Sequence, residues 1–304
     1  MLVFVLAACA DSGLEPGEGY VEVDGGRIWY RIVGSGHETP LLLLHGGPGA
    51  PSYYLNPLEG VAEDRPVIFY DQLGAGRSAR PADATLWRMD RFVDELALLR
   101  QALDLPEVHI FGHSWGTMLA VDYMLTNPNG VHSLILASPA LSVRRWSEDA
   151  HRLIAALPEE FQAAIERHQA AGTTDAPEYQ EAITEYYRQY FSRSDPWPPD
   201  LVKAFEELNT EIYGLMWGPS ELVATGSLST YEREDVLPGL DLPVLFTAGR
   251  FDEATPATVE HFQSLVPDSR LVIFENSAHM TMIDEPEAFV ETVRQFLNEV
   301  DEAR

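Results

Sequence analysis

The sequence has little cysteine and little positive charge. Cys9 is the only cysteine among 304 residues, so no disulfide can form within the chain. Lys203 is the only lysine, and 20 basic residues stand against 48 acidic ones, which gives a formal net charge of -28 at pH 7. Such a surface repels phosphate backbones, so nucleic acid is not expected as a partner. The sequence also lacks an H-E-x-x-H motif and any cysteine or histidine pair at ligand spacing, so neither a metal nor another cofactor is expected.

An apolar run at the amino terminus covers Met1 to Ala8 and precedes Cys9. Leu6-Ala7-Ala8-Cys9 resembles a bacterial lipobox, in which the preceding segment is removed and the cysteine is acylated. The run is too short to cross a membrane. Residues 1–19 are therefore interpreted as a signal-like segment and tether, with lipidation at Cys9 and a location in the cell envelope, lipid-anchored or periplasmic. The alternative is an apolar extension with an incidental cysteine in a cytoplasmic protein.

An apolar strand leads into Gly112-His113-Ser114-Trp115-Gly116 and then into a predicted helix at 118–125. This G-x-S-x-G pattern is typical of the sharp strand-to-helix turn of α/β-hydrolases. Small residues on either side let the backbone pass closely, and the serine hydroxyl projects above the sheet. Ser114 is the predicted nucleophile, and the Trp115 amide is predicted to face the developing oxyanion. His113 holds the variable position and is interpreted as a packing or supporting residue.

An α/β-hydrolase also needs an acid after a late strand and a histidine after the last one. Asp252 follows the predicted strand 243–248, and His279 follows the predicted strand 270–274. His279 is predicted to take the proton of Ser114 and later to protonate the leaving group, while Asp252 orients the imidazole. Taken singly, Asp252 could cap the helix that follows it and His279 could be a surface histidine; the order of the three residues favours a triad.

Two glycine-containing loops follow earlier predicted strands. The strand 41–44 leads into His45-Gly46-Gly47-Pro48-Gly49, whose glycines allow a tight turn that offers a second N–H to the oxyanion. The strand 67–69 leads into Asp71-Gln72-Leu73-Gly74-Ala75-Gly76-Arg77-Ser78. Because this second loop lacks the full G-x-G-x-x-G spacing of a dinucleotide-binding loop, it is interpreted as a structural turn.

Together, the H-G-G-P-G loop, the D-Q-x-G-x-G-x-S loop and the G-x-S-W-G turn resemble the proline iminopeptidase family, a group of serine aminopeptidases with the α/β-hydrolase fold. Three further segments resemble its branch of tricorn-protease-interacting aminopeptidases: Pro177 to Ala182, Trp197-Pro198-Pro199 and Gly218-Pro219-Ser220-Glu221. The likeness begins at about Tyr20 and covers nearly all of the chain from there.

The resemblance implies roles for further residues. The oxyanion donors would be the amides of Gly47 and Trp115. Family members bind the free amino terminus of the substrate with acidic side chains that correspond here to Glu221 and Glu253, and Tyr213 is a weaker candidate for the same subsite. Charge-assisted hydrogen bonds to carboxylates distinguish a terminal ammonium from an internal amide. The alternatives are a solvated loop carboxylate for Glu221 and a helix first-turn acid for Glu253.

The order of predicted elements indicates an α/β fold, with a mostly parallel central sheet flanked by helices and an inserted all-helical cap. The core is assigned to residues 20–140 and 231–304. Residues 141–230 show amphipathic runs at 153–168 and 179–191, broken by Pro158, Gly172 and Trp197-Pro198-Pro199, and no strand pattern, so they are assigned to the cap. Because the predicted catalytic loops meet at the carboxyl edge of the sheet, the cap is expected to cover that edge. Its aromatic residues are interpreted as core.

The sequence therefore predicts a serine aminopeptidase that releases N-terminal residues, proline among them, from short peptides with a free amino terminus. The reaction would pass through an acyl-enzyme. An esterase, amidase or lactonase on the same fold is the main alternative, because the triad serves any acyl transfer. A non-catalytic hydrolase-like binding protein is a third reading. The sequence makes no prediction about the oligomeric state.

Overall fold

The computed structural model describes residues 13–304. These residues form one eight-stranded sheet, with strand order β1-β2-β4-β3-β5-β6-β7-β8. The strands are β1 Gly17–Val23, β2 Gly26–Val33, β3 Leu41–Leu44, β4 Val67–Asp71, β5 Val108–His113, β6 Val131–Ala137, β7 Val244–Gly249 and β8 Ser269–Phe274. β2 runs antiparallel to β1 and β4, and the other neighbouring pairs are parallel. The predicted α/β class with a mostly parallel sheet is confirmed.

Ten α-helices accompany the sheet in this part of the chain. They are α1 Met89–Ala102, α2 Trp115–Met124, α3 Val143–Ile154, α4 Glu159–Ala171, α5 Pro177–Tyr190, α6 Pro199–Glu206, α7 Thr210–Met216, α8 Pro256–Leu265, α9 Thr281–Asp284 and α10 Pro286–Glu302. A 3₁₀-helix at Ser52–Glu63 follows the loop after β3.

The central strands are rich in apolar residues because helices cover both faces of the sheet. β3 shows this most simply, since all four of its leucines are fully buried. Leu42 and Leu44 pack into one core with residues of α1, α2 and α8. Leu41 and Leu43 point to the opposite face and pack with α10 and the 3₁₀-helix. Side chains that alternate along one strand therefore serve two separate cores.

Five helices, α3 to α7, lie between β6 and β7, and no strand occurs there among the described residues. The amphipathic run predicted at 153–168 spans the end of α3 and most of α4, with the expected break at Pro158 between the two helices. α3 ends at Ile154 and α4 begins at Glu159, because Pro158 cannot continue a helix and instead sits at the N-cap position of the next one. Gly172 ends α4 in the left-handed conformation, with a φ of 66°. The predicted run at 179–191 corresponds to α5.

The lipidation site predicted at Cys9, like most of the predicted tether, lies outside the described residues. From residue 13 onward, no helix combines the length and the apolar character needed to cross a bilayer.

Candidate active site

Ser114 occupies a strained turn between β5 and α2, with φ 52° and ψ -120°. A Cβ atom on Gly112 would lie 2.4 Å from the Gly116 carbonyl oxygen, and one on Gly116 would lie 2.2 Å from the carbonyl oxygen of Leu44. Only glycine fits at these two approaches, as the G-x-S-x-G pattern predicts. The predicted helix start at Met118 is wrong: α2 begins directly at Trp115, because Ser114 itself takes the N-cap position.

Asp252 and His279 meet at the carboxyl edge of the sheet. Asp252 lies on the loop after β7, and its Oδ1 is 2.9 Å from His279 Nδ1. The same oxygen accepts the N–H of Ala254 at 2.8 Å. Both side chains are buried. The cap of α8 is Thr255, whose hydroxyl accepts from the Thr258 N–H, so the carboxylate of Asp252 is directed at the imidazole and does not cap the helix.

Ser138 is a neighbour of this pair that the sequence reasoning missed. It follows β6, and its hydroxyl donates to Asp252 Oδ2 at 2.6 Å. The same hydroxyl lies 3.0 Å from the carbonyl oxygen of His279, so it touches both the acid and the backbone of the histidine. A serine in a Ser-Pro dipeptide after a strand carries no motif. The only signal for it in the sequence is its position at the carboxyl end of β6.

One cavity joins Ser114 to His279 at the carboxyl ends of the strands. Its remaining wall comes from the loops after β3 and β8 and from cap helices: Gly46, Gly47, Ala50, Tyr54, His113, Phe191, Leu201, Ala204, Phe205, Leu208, Tyr213, Glu221 and Met280. Ser114 and His279 form no direct hydrogen bond in this structure; such contacts are often loose in a site without substrate. The lining is mostly apolar with few polar groups, as in sites for small ligands.

The loop after β3 is held by the loop after β4. His45 Nε2 accepts the backbone N–H of Gln72 at 2.9 Å, so the proton of the neutral ring lies on Nδ1, which is 2.9 Å from the Gly46 carbonyl oxygen. Burial lowers the pKa of His45, in spite of the nearby Asp71 carboxylate. Gln72 also accepts the indole N–H of Trp115 at 2.9 Å. The D-Q-x-G-x-G-x-S loop thus connects the H-G-G-P-G loop to the helix that follows Ser114.

Glu253 is a buried carboxyl group without a hydrogen-bond partner. It is 1% exposed, and neither of its carboxyl oxygens accepts a hydrogen bond from any described residue. Its Oε1 lies 3.9 Å from His279 Nε2. Burial raises the pKa of Glu253 well above the usual value, the charges of Glu221 and Asp252 raise it further, and the nearby Tyr186 hydroxyl offsets only a small part of this rise. A buried acceptor pair of this kind is costly unless a ligand satisfies it.

Glu221 reaches the cavity from the segment after α7. The indole of Trp146 donates to the Glu221 carbonyl oxygen at 2.9 Å, and the indole of Trp217 donates to the Ser220 carbonyl oxygen at 3.1 Å, so the backbone of this segment is anchored. Burial raises the pKa of the Glu221 carboxyl. Burial, followed by the charge of Glu221, also raises the pKa of Tyr213 well above its usual value. The structure therefore brings Glu221 and Tyr213 to the wall of the Ser114 cavity and places Glu253 beside His279.

Two cap aromatics pack against the imidazole of His279. The ring of Trp146 stands edge-on to it with centroids 5.6 Å apart, and the ring of Phe191 stacks on it at 5.9 Å. Both residues are buried, as the interpretation as core requires. Their contact with His279 had no signal in the sequence, because it depends on how the cap sits on the core. Among residues 13–304, no group of three or more His, Cys, Asp or Glu side chains is arranged to hold a metal ion.

Comparisons with protein families, with known sequences and with solved structures all find α/β-hydrolases. The family described as alpha/beta hydrolase fold matches residues 39–286. A proline iminopeptidase of Heyndrickxia coagulans is 47% identical over 285 residues, which cover 93% of this chain and 99% of that protein. The crystal structure of a proline iminopeptidase from Mycobacterium smegmatis superposes with a TM-score of 0.88 and 37% identity, over 94% of this chain and 99% of that one. The crystal structure of VinJ superposes with a TM-score of 0.90 and 37% identity, over 94% and 100%.

These relatives span nearly the whole of both chains, at identities well beyond those of proteins that share only a fold. The protein therefore belongs to the proline iminopeptidase family of α/β-hydrolases.

Proposed function

We propose that this protein is a serine aminopeptidase that releases N-terminal residues, proline among them, from short peptides. In this proposal Ser114 is the nucleophile, His279 the general base and Asp252 the residue that orients His279. The amides of Gly47 and Trp115 bind the oxyanion, and Glu221, Glu253 and Tyr213 hold the amino terminus of the substrate.

The observation that carries the proposal is the unpartnered carboxyl group of Glu253 beside the Ser114–His279 cavity. A protonated amine bound there would donate to carboxyl oxygens that nothing else in the described chain satisfies. Burial raises the pKa of both Glu253 and Glu221, and the charge of Glu221 raises that of Glu253 further, so a bound cation would stabilise the ionised form of both. An acylated amine has neither the charge nor the protons to do so.

The chemistry follows from the positions of these groups. The Ser114 hydroxyl attacks the carbonyl carbon of the first residue, and His279 Nε2 takes its proton as the carbonyl oxygen becomes negatively charged. His279 then gives that proton to the departing amine of the second residue, and the first residue remains as an ester on Ser114. Water attacks this ester with His279 again as base, which frees the first amino acid and restores the hydroxyl.

The test is a panel of aminoacyl-arylamides, each with a free and an N-acetylated amino group. A lost charge-assisted hydrogen bond costs about 1.5–3 kcal/mol, so acetylation should lower kcat/KM roughly 10- to 150-fold. Ser114→Ala should abolish turnover of the free substrates. Equal hydrolysis of free and acetylated substrates by the native protein would contradict recognition of the amino terminus and favour an esterase or amidase.

An ester without an amine provides the matched control. Hydrolysis of p-nitrophenyl acetate needs Ser114 and His279 but has no group for the acidic subsite. Glu221→Gln should therefore leave kcat/KM for this ester close to the native value while it lowers kcat/KM for prolyl-arylamide.

We further propose that Cys9 is lipidated and anchors the protein to a membrane. The support is the lipobox-like Leu6-Ala7-Ala8-Cys9 and the polar stretch that follows it. Expression in a bacterial host with the cell fractions probed by intact-mass analysis tests this. Acylated protein in the membrane fraction, lost on Cys9→Ser, is the expected result; fully soluble protein that is insensitive to globomycin would contradict it.

A further inference from the structure

Tyr54 and His113 form a hydrogen-bonded bridge between the loop after β3 and the loop that carries His279. His113 is the last residue of β5, directly before Ser114. Its Nε2 lies 3.1 Å from the His279 carbonyl oxygen, and its Nδ1 lies 2.9 Å from the Tyr54 hydroxyl. The Tyr54 oxygen accepts the N–H of Gly46 at 2.6 Å. Tyr54 and His113 are each no more than 2% exposed.

The proton positions along the bridge follow from the partners. A carbonyl oxygen only accepts, so His113 Nε2 must carry a proton and donate it to His279. Burial lowers the pKa of His113 well below the usual value, and the charge of His279 lowers it further, so the ring holds only that proton. Nδ1 is then an acceptor, and the Tyr54 hydroxyl donates to it while accepting from Gly46. Every polar atom of the bridge has one defined role.

The bridge connects two loops that must keep a fixed distance during the reaction. One end holds the N–H of Gly46, and the next amide along the chain is that of Gly47. The other end holds the carbonyl group of His279, and the rings of His113 and His279 are 4.7 Å apart. A neutral His113 adds no positive charge beside the imidazolium that forms when His279 takes the Ser114 proton.

We propose that Tyr54 and His113 are positioning residues that hold the oxyanion loop and the base in register, with Ser114 between them. This proposal rests on the proposed function, in which Gly47 binds the oxyanion and His279 is the base. His113 occupies the variable position of the G-x-S-x-G turn. In this proposal it is the last residue of β5 and also sets the distance between the two loops.

The bridge makes a prediction about kcat that ordinary packing does not. Tyr54→Phe removes one hydroxyl and keeps the ring, so kcat should fall roughly tenfold, the effect of one net hydrogen bond of about 1–1.5 kcal/mol. KM should stay within about twofold, since the acidic subsite is untouched. In His113→Ala, kcat should fall at least as far as in Tyr54→Phe. His113→Gln, whose amide can donate to the His279 carbonyl oxygen, should recover part of the loss. In the double variant Tyr54→Phe/His113→Gln, the rise in the activation free energy calculated from kcat should be smaller than the sum of the rises in the two single variants.

Tyr53→Phe is the matched control. Tyr53 lies in the same 3₁₀-helix, but its hydroxyl donates to Glu207, and neither residue lines the Ser114 cavity. This variant should keep the native kcat. Thermal unfolding of all variants separates a loss of fold from a loss of positioning.

A fluorophosphonate probe gives a second measurement that needs no peptide substrate. The labelling rate of Ser114 should fall with kcat in Tyr54→Phe and His113→Ala, because phosphonylation also develops negative charge on the oxygen that the two amides bind. A native kcat and a native labelling rate in a folded Tyr54→Phe or His113→Ala variant would contradict the positioning role of Tyr54 and His113. If Ser114→Ala still reacts with the probe and with substrate, the proposed function itself is wrong, whatever the bridge variants do.

Discussion

Glu253→Gln should lower activity and raise stability at once. The change keeps the shape of the side chain and removes its charge. In the native protein this carboxyl group has no hydrogen-bond partner among residues 13–304 and lies beside Glu221 and Asp252. Loss of one charge-assisted contact to the substrate ammonium costs about 1.5–3 kcal/mol, which lowers kcat/KM for prolyl-arylamide roughly 10- to 150-fold. Hydrolysis of p-nitrophenyl acetate should change much less.

The stability effect has a defined sign and pH range. The pKa of Glu253 is higher in the folded protein than in the unfolded chain, so the folded state keeps the proton to higher pH. The native protein therefore loses stability as pH rises from the unfolded pKa, about 4.3, to the raised folded value. The amide that Glu253→Gln introduces cannot ionise. The variant should be more stable than the native protein above this range, and its advantage should disappear at about pH 4.

The assay is thermal unfolding of both proteins at about pH 4, near the unfolded pKa, and at a series of higher pH values. The linked loss amounts to about 1.4 kcal/mol per pH unit above the unfolded pKa until the folded pKa is reached, and a chain of this size shifts its Tm by roughly 2 °C per kcal/mol, so the gain should grow by roughly 3 °C per pH unit over that range. Glu260→Gln on α8 is the control, because Glu260 is exposed and should change neither Tm nor kcat/KM. A Glu253→Gln variant with native activity on prolyl-arylamide would contradict the contact between Glu253 and the substrate ammonium. A variant that is less stable than the native protein at the higher pH values would contradict the predicted cost of the buried charge.

Three further predictions follow from the site and the composition. Ser138→Ala should lower kcat roughly tenfold through the lost hydrogen bond to Asp252, with little change in KM; steady-state kinetics measure this, and a native kcat would show that Asp252 is held without Ser138. Gly47→Ala should lower both kcat and the fluorophosphonate labelling rate, because Gly47 has a φ of 112° and an added Cβ would lie 2.6 Å from the Ala50 nitrogen. An unchanged labelling rate would show that the Gly47 amide does not bind the oxyanion. Salt should lower kcat/KM for cationic peptides, because the chain carries a net charge of -28; a titration with NaCl that leaves kcat/KM unchanged would exclude electrostatic steering.

The sequence predicts the site best where its chemistry is written in a short segment. The G-x-S-x-G turn is such a segment, because the close backbone contacts at Gly112 and Gly116 admit only glycine and so produce a recognisable sequence motif. The H-G-G-P-G loop and the loops with Asp252 and His279 follow apolar strands, so the sequence also predicts their position at the edge of the sheet. The strands predicted at 41–44, 67–69, 243–248 and 270–274 match β3, β4, β7 and β8 to within two residues at each end. β3, β4 and β7 are buried along their whole length and therefore stand out as apolar runs.

The missed residues act through contacts between distant parts of the chain. Ser138 and Asp252 are 114 residues apart, and Tyr54 and His113 are 59 residues apart. A serine and a tyrosine in such settings look like ordinary turn and core residues until the fold brings their partners together.

The most direct test of the proposed substrate site is a crystal structure of the Ser114→Ala variant with the tripeptide Pro-Gly-Gly. We expect the proline nitrogen within hydrogen-bond distance of the carboxyl groups of Glu221 and Glu253. We also expect the first carbonyl oxygen to face the amides of Gly47 and Trp115. A peptide bound with its amino terminus in solvent, or without a contact to Glu221 and Glu253, would show that this site does not bind the amino terminus.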